Sequence, residues 1–210
     1  MMSQEKNKGM TLIETLLAVA IFTIGIGGFS LLFMNSWKNN SYILELGQAS
    51  SAASSGLDKA VKYIRMARQG DDGSYAVKSA DKNDLVVFSD YNKDGVAERL
   101  RFYLQSGQLK MGITNPTSSI PKTYPSGDQQ VEIIADKIIN DDANPVFYYF
   151  NKDYPGDQVH NPVATPANVA NIRLVKILLK ININPTRAPE NVQMQSFVEL
   201  RNLNDYSGIR

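Results

Sequence analysis

Lys8-Gly9-Met10-Thr11-Leu12-Ile13-Glu14-Thr15-Leu16-Leu17-Ala18-Val19-Ala20-Ile21-Phe22 opens the chain's apolar stretch, and the reading of this segment decides the fold. From Thr15 to Phe33 there are 19 residues without a charge, which as a helix would just cross a hydrocarbon core of about 30 Å. Nothing after Lys38 repeats that run, so the remainder is expected to be soluble and to lie on one side of a membrane. Lys6 and Lys8 precede the run. By the positive-inside rule they place the N-terminus in the cytoplasm and the rest outside it.

A cleaved secretory signal shares the basic start and the apolar core, but its small-x-small site belongs next to the apolar run. Here the nearest such site, Gly47 to Ala49, lies well beyond it. A plain N-terminal anchor fits better, yet it leaves Glu14 unexplained. A carboxylate at the entrance of an apolar span is costly if it lies deep, and it marks a function that needs a partner.

The segment Lys8 to Phe22 resembles the processing signal of type IV pilins and type II secretion pseudopilins: a short basic leader, Gly9, an apolar residue, Thr-Leu, then Glu14. The resemblance implies cleavage between Gly9 and Met10 by a membrane prepilin peptidase on the cytoplasmic face. It also implies N-methylation of Met10, where the family most often has Phe, and a role for Glu14 in assembly. The partners it implies are the prepilin peptidase, other pilins or pseudopilins, an inner-membrane assembly platform and membrane lipid. Three segments follow from it: a leader at 1–9, a transmembrane assembly helix at 10–38, and a soluble pilin-like domain at 39–210.

Working outward, Ile43, Leu46, Ala49 or Ser50, Ala53, Leu57, Ala60, Val61, Ile64 and Ala67 recur at helical spacing, an amphipathic stripe that continues the membrane helix. One helix from Met10 to about Arg68 would be roughly 90 Å long. Gly25, Gly27 and Gly28 permit close helix approach and bending, and Gly70, Asp71, Asp72 and Gly73 stop the helix. The mid-helix proline of many pilins is absent.

Beyond Gly73 the period shortens to that of strands. Leu85 to Ser89, Arg99 to Leu104 and Leu109 to Ile113 read as a meander with turns at Asp94-Gly95 and Ser106-Gly107. Val131 to Ile139 reads equally as strand or short helix. Val146 to Phe150, Ile172 to Ile183 and Met194 to Leu200 read as further strands, with prolines punctuating the loops. The fold class is α+β, one long helix laid against an antiparallel sheet. Short stretches of this half, V-V-F-S-D-Y-N-K-D-G-V-A-E-R-L-R-F-Y-L, P-V-F-Y-Y-F and S-F-V-E-L-R-N, resemble J-type pseudopilins and W-type minor pilins. They imply a low-copy component near a filament tip, with a major pilin as the competing reading.

Composition excludes several other classes. A net charge of +1, from 22 basic and 21 acidic residues without a run of one sign, leaves no footprint for nucleic acid. With no cysteine and a lone histidine, His160, thiolate metal sites and most general-base constellations fall away, and no G-x-S-x-G elbow is present. The chain is expected not to be an enzyme. Asp90, Asn92, Asp94, Gly95 and Glu98 form D-x-N-x-D-G-x-x-E, whose oxygens could wrap calcium, although the same residues suit a polar turn and the closing glutamate of an EF-hand is missing. Phe147, Tyr148, Tyr149 and Phe150 read as sheet core and edge, or as a partner-binding surface. The functional classes left open are an assembly protein, an anchored extracytoplasmic binding domain that does not polymerise, and an anchored hydrolase.

Overall fold

The computed structural model describes residues 9–183 and 191–200. The leader residues 1–8, with Lys6 and Lys8, and the loop prolines Pro185 and Pro189 lie outside the described residues.

The expected spine is one continuous helix, α1, Leu12–Arg65. It starts two residues later than the Met10 start expected from the sequence, because Thr11 is its N-cap. At the other end Ala67 N–H donates to Ile64 O at 3.2 Å, which tightens the last turn, and Arg68 N–H leaves the helix for Phe88 O at 2.9 Å. Gly73, at φ +84°, then completes the turn that the Gly-Asp-Asp-Gly stretch announced. The N-terminal part of the helix, through Glu45, forms one compact unit and residues from Leu46 onward form the other.

In the N-terminal unit the apolar side chains from Met10 to Trp37 have no protein cover. Leu17, Phe22 and Ile24 are 62%, 69% and 77% exposed. Such a surface is too large and too continuous for a chain alone in water.

In the second unit the amphipathic stripe is buried: Ala53, Leu57, Ala60 and Ile64 all lie in the core, at the i, i+4, i+7, i+11 spacing that keeps one helix face inward. This face packs on two antiparallel sheets. The first is a five-stranded meander of β1 (Val77–Ala80), β2 (Asp84–Ser89), β3 (Glu98–Gln105), β4 (Gln108–Thr114) and β5 (Gln130–Ala135). The second pairs β6 (Phe147–Phe150), β7 (Leu174–Ile181) and β8 (Val192–Glu199) in that order.

The sequence had suggested a single sheet. The sheets are separate because the chain after β5 makes only an isolated bridge, Ile138 to Ile181, before residues 140–146 carry it across. Buried Asn140 seals the junction: its Nδ2 donates to Asn144 O and Leu178 O, and its Oδ1 accepts from Lys180 N–H. One buried cluster draws on α1 and on strands of both sheets.

The segment 131–139, ambiguous in sequence, is strand as far as Ala135. β1 was not anticipated, since four residues with a register irregularity carry too little alternation to be seen. The β3–β4 turn is the two-residue loop expected at Ser106-Gly107, with φ of 52° and 71°, the doubly positive pair that matches the twist of a hairpin.

The helix meets the first sheet at Gly56, where a Cβ would fall 1.8 Å from the Ile134 carbonyl oxygen of β5. Lys59 closes the same seam on Glu132 at 2.5 Å. Because the obstacle is sheet backbone, Gly56→Ala should lower unfolding stability by about 1–3 kcal/mol or more, measured by urea titration of the detergent-solubilised chain. Ser55→Ala, one residue away on an exposed position, should be near neutral.

Candidate functional site

The start of α1 is built from Gly9, Met10, Thr11 and Glu14. Among the described residues nothing lies within 4 Å of the position a Gly9 Cβ would take, and Met10 is 70% exposed, so these residues leave the peptide bond between them open to approach. Glu14 folds back on the helix start. Its Oε2 accepts from Thr11 N–H at 2.8 Å and from the Thr11 hydroxyl at 2.9 Å, while Glu14 N–H donates to Thr11 Oγ1 at 3.4 Å. This is a reciprocal capping box, in which two groups satisfy backbone N–H donors that the first turn leaves without partners.

The sequence carries this signal as Thr-x-x-Glu, Thr11 to Glu14, before an apolar run, in the same carboxylate that reads as a costly charge. Within one chain Glu14 therefore already has a partner, and it is a neutral one.

The second constellation is the β2–β3 loop. Asp90, Asn92, Asp94 and Glu98 are brought together, as their spacing suggested, and they turn onto the loop's own backbone. Asp90 accepts from Asp94 N–H at 3.1 Å and Gly95 N–H at 3.0 Å. Asn92 Oδ1 also accepts from Asp94 N–H, Asp94 Oδ1 accepts from Val96 N–H, and Glu98 Oε2 accepts from Tyr91 N–H. Lys93 and Gly95 take the positive φ values that the tight path requires. Among the described residues no group of three or more His, Asp or Glu side chains is placed to hold a metal ion. The oxygens that calcium would need are engaged with amides.

Residues distant in sequence fasten this loop. Tyr124 O–H donates to Ala97 O at 2.5 Å and accepts from Asp71 N–H at 3.1 Å. Asp71 accepts from Ala97 N–H and pairs with Lys122 at 2.6 Å. No local pattern could have revealed Asp71, Lys122 and Tyr124, which lie more than 20 residues from the loop's far end or on another connection. The Lys122 ammonium holds the Asp71 carboxyl below its ordinary range.

Glu98 behaves oppositely. Burial pushes its carboxyl up, the Asp94 and Asp90 charges add to the rise, and the Tyr91 N–H only partly offsets it. Beside it in register, Ser89 is buried, and its hydroxyl has no hydrogen-bond partner among the described residues.

The remaining candidates resolve simply. His160 is exposed, with Nδ1 2.8 Å from Asp157 Oδ2. Phe147, Tyr149 and Phe150 are buried, with the Tyr149 hydroxyl on Asp81 O at 2.7 Å, while Tyr148 carries Lys176 over its ring. A polar cleft of about 620 Å³ is lined by Asp81–Asp84, Arg101, Tyr103 and Asp142 among others, and its guanidinium is held by Asp84 at 2.5 Å.

Residues 5–32 match the family model described as the prokaryotic N-terminal methylation motif. The match covers the leader end, Gly9, Met10, Glu14 and nearly all of the apolar run. The chain thus carries a type IV pilin or pseudopilin-like signal at its N-terminus. No curated protein is similar enough to count as a match. The motif implies a precursor processed by prepilin peptidase that assembles with other pilins, and proteins that bear it are in general structural. Together with the apolar helix it points to inner-membrane anchoring with a C-terminal domain.

The loop chemistry has a direct test. In the unfolded chain Glu98 titrates near 4.5, and in the folded chain at a higher value, so the parent loses stability as pH rises from about 4.5 through that folded value. Glu98→Gln keeps an oxygen for Tyr91 N–H and removes the charge. Its stability relative to the parent should therefore rise between pH 4 and pH 7, read from urea midpoints. In the same assay millimolar calcium should leave the parent's midpoint unchanged. An increase that Asp94→Ala abolishes would return the loop to a cation.

Proposed function

We propose that this protein is a minor pilin or pseudopilin, cut between Gly9 and Met10, methylated on Met10 and packed through α1 into a type IV pilus or a type II secretion pseudopilus. The observation that carries the reading is the methylation motif at residues 5–32 in register with an unbroken helix whose apolar face is bare. Residues 1–9 are the leader, 10–38 the transmembrane assembly helix and 39–210 the extracytoplasmic domain, with the N-terminus cytoplasmic before assembly. The patchy likeness of the C-terminal half to J-type pseudopilins and W-type minor pilins supports a low-copy role. The inner-membrane platform that extrudes such filaments is the partner. The protein acts as a building part and not as an enzyme.

Glu14 is the assembly residue in this reading. After cleavage the Met10 α-amine is largely cationic at neutral pH, since its reference pKa is about 7.7–8.0, and methylation keeps the charge. Among parallel helices the Glu14 carboxylate of an incoming subunit meets the Met10 amine of its neighbour, pairing two charges that are costly in apolar surroundings. To do so it gives up the Thr11 N–H and hydroxyl that it accepts from in the single chain.

Two measurements test the proposal. Gly9→Val should leave the protein membrane-bound at precursor mass, because the β-branched side chain blocks close approach of the peptidase to the scissile bond. A normal mature mass by mass spectrometry would count against this site.

The second separates the cap from the ion pair. Glu14→Gln preserves a capping box, which accepts glutamine as well as glutamate, yet it removes the charge. Cleavage and membrane insertion should persist, while crosslinking to partner pilins falls at least about tenfold if a pair worth 1.4 kcal/mol or more is lost. If Glu14→Gln were incorporated like the parent and only Glu14→Ala failed, helix capping would be its whole role. The non-polymerising anchored domain would then be favoured.

A further inference from the structure

We propose that Trp37 and Lys38 form a membrane-interface anchor that binds the phospholipid headgroup boundary and fixes the depth of α1 in the bilayer. The proposal rests on the reading of α1 as a membrane helix and adds where that helix leaves the bilayer. Phe29, Phe33 and Trp37 follow one another along one face at helical spacing, with ring centroids 6.4 and 6.3 Å apart. All three are exposed, at 70%, 57% and 65%, so they form a bare aromatic strip.

The strip ends where the sequence turns polar, at Trp37-Lys38-Asn39-Asn40-Ser41. Phe33, Met34, Trp37 and Lys38 also enclose a shallow, nearly apolar dent of about 360 Å³. Its lining joins three apolar side chains to one lysine, a pairing suited to an acyl chain and a phosphate.

Indole and lysine suit this boundary for separate reasons. An indole has a broad apolar body with one N–H donor and is enriched at headgroup depth. A lysine lays its methylenes along hydrocarbon and carries its charge to the phosphates. The distance along the helix agrees. Glu14 and Trp37 lie in one unbroken helix, about 35 Å apart at the usual rise, slightly more than the hydrocarbon thickness of about 30 Å. With Trp37 at one boundary, the capped Glu14 stands at the other, where its charge is solvated. The anchor thus keeps Glu14 out of hydrocarbon until a neighbouring helix offers a partner.

The chain contains a single tryptophan, so its fluorescence reports this position alone. The full-length protein is reconstituted at low density into phosphatidylethanolamine–phosphatidylglycerol vesicles in which a fraction of the lipid is brominated, either close to the carbonyl end of the acyl chains or close to their methyl ends. Shallow bromines should quench Trp37 at least about twofold more than deep ones, as interfacial indoles require. In Lys38→Leu the preference should reverse as the ring sinks.

Stronger quenching by deep bromines in the parent would overturn the anchor and leave the membrane helix standing. Quenching by neither would place Trp37 outside the acyl region and overturn the anchor, whereas only failure of the protein to stay with the vesicles would overturn the membrane reading. An unchanged profile in Lys38→Leu would remove the lysine from the anchor.

Discussion

The apolar face of α1 must be covered, and the chain does not cover it. Every described position from Met10 to Ser41 is exposed, while the stripe that follows from Ala49 is buried to within a few per cent. Hydrophobic burial contributes roughly 25 cal/mol per Å² of apolar surface removed from water, so a row of bare Leu, Ile and Phe strongly favours lipid or like helices over solvent. The methylation motif, the lone carboxylate and the single tryptophan all fall on this same segment. The folded half of the chain is comparatively self-sufficient.

Glu14 illustrates how one residue can carry two partners in succession. In the single chain it closes a capping box with Thr11. In the proposed filament it turns to a charged amine. The exchange has a reasonable physical sign, because a neutral cap suffices where water or headgroups are near, whereas in a dry helix bundle a carboxylate gains far more from a cation. The β2–β3 loop shows the opposite economy of means: its acidic residues are all engaged within their own turn, and Tyr124, Asp71 and Lys122 hold that turn against the sheet.

Much of this was readable from the sequence, for reasons that differ by element. The helix was legible because two different signals, an unbroken apolar run and then a 3.6-residue stripe, abut without a breaker. The meander was legible through Ser106-Gly107 and Asp94-Gly95, whose turn chemistry fixes strand ends within a residue or two. Gly9, Met10 and Glu14 fall within one matched motif because their spacing is local.

The split into two sheets was not legible, since it depends on Asn140 meeting Leu178 and Lys180, a contact between residues about 40 apart. β1 was too short to show a period. The D-x-N-x-D-G-x-x-E run was seen correctly as a cluster, but sequence spacing cannot tell whether carboxylates face an ion or their own amides.

The close contact at Gly56 has a mechanical meaning. Force applied along α1 in a filament would enter the second unit where the helix grips β5, through the Gly56–Ile134 approach and the Lys59–Glu132 pair. β5 is hydrogen-bonded along its length to β4. A pull along the helix would therefore pass from β5 into β4 through that ladder of bonds. The bare glycine lets helix and strand lie close enough for that load to pass through backbone, and a bulkier residue would insert a compliant layer of side chains at the one seam that should be stiff.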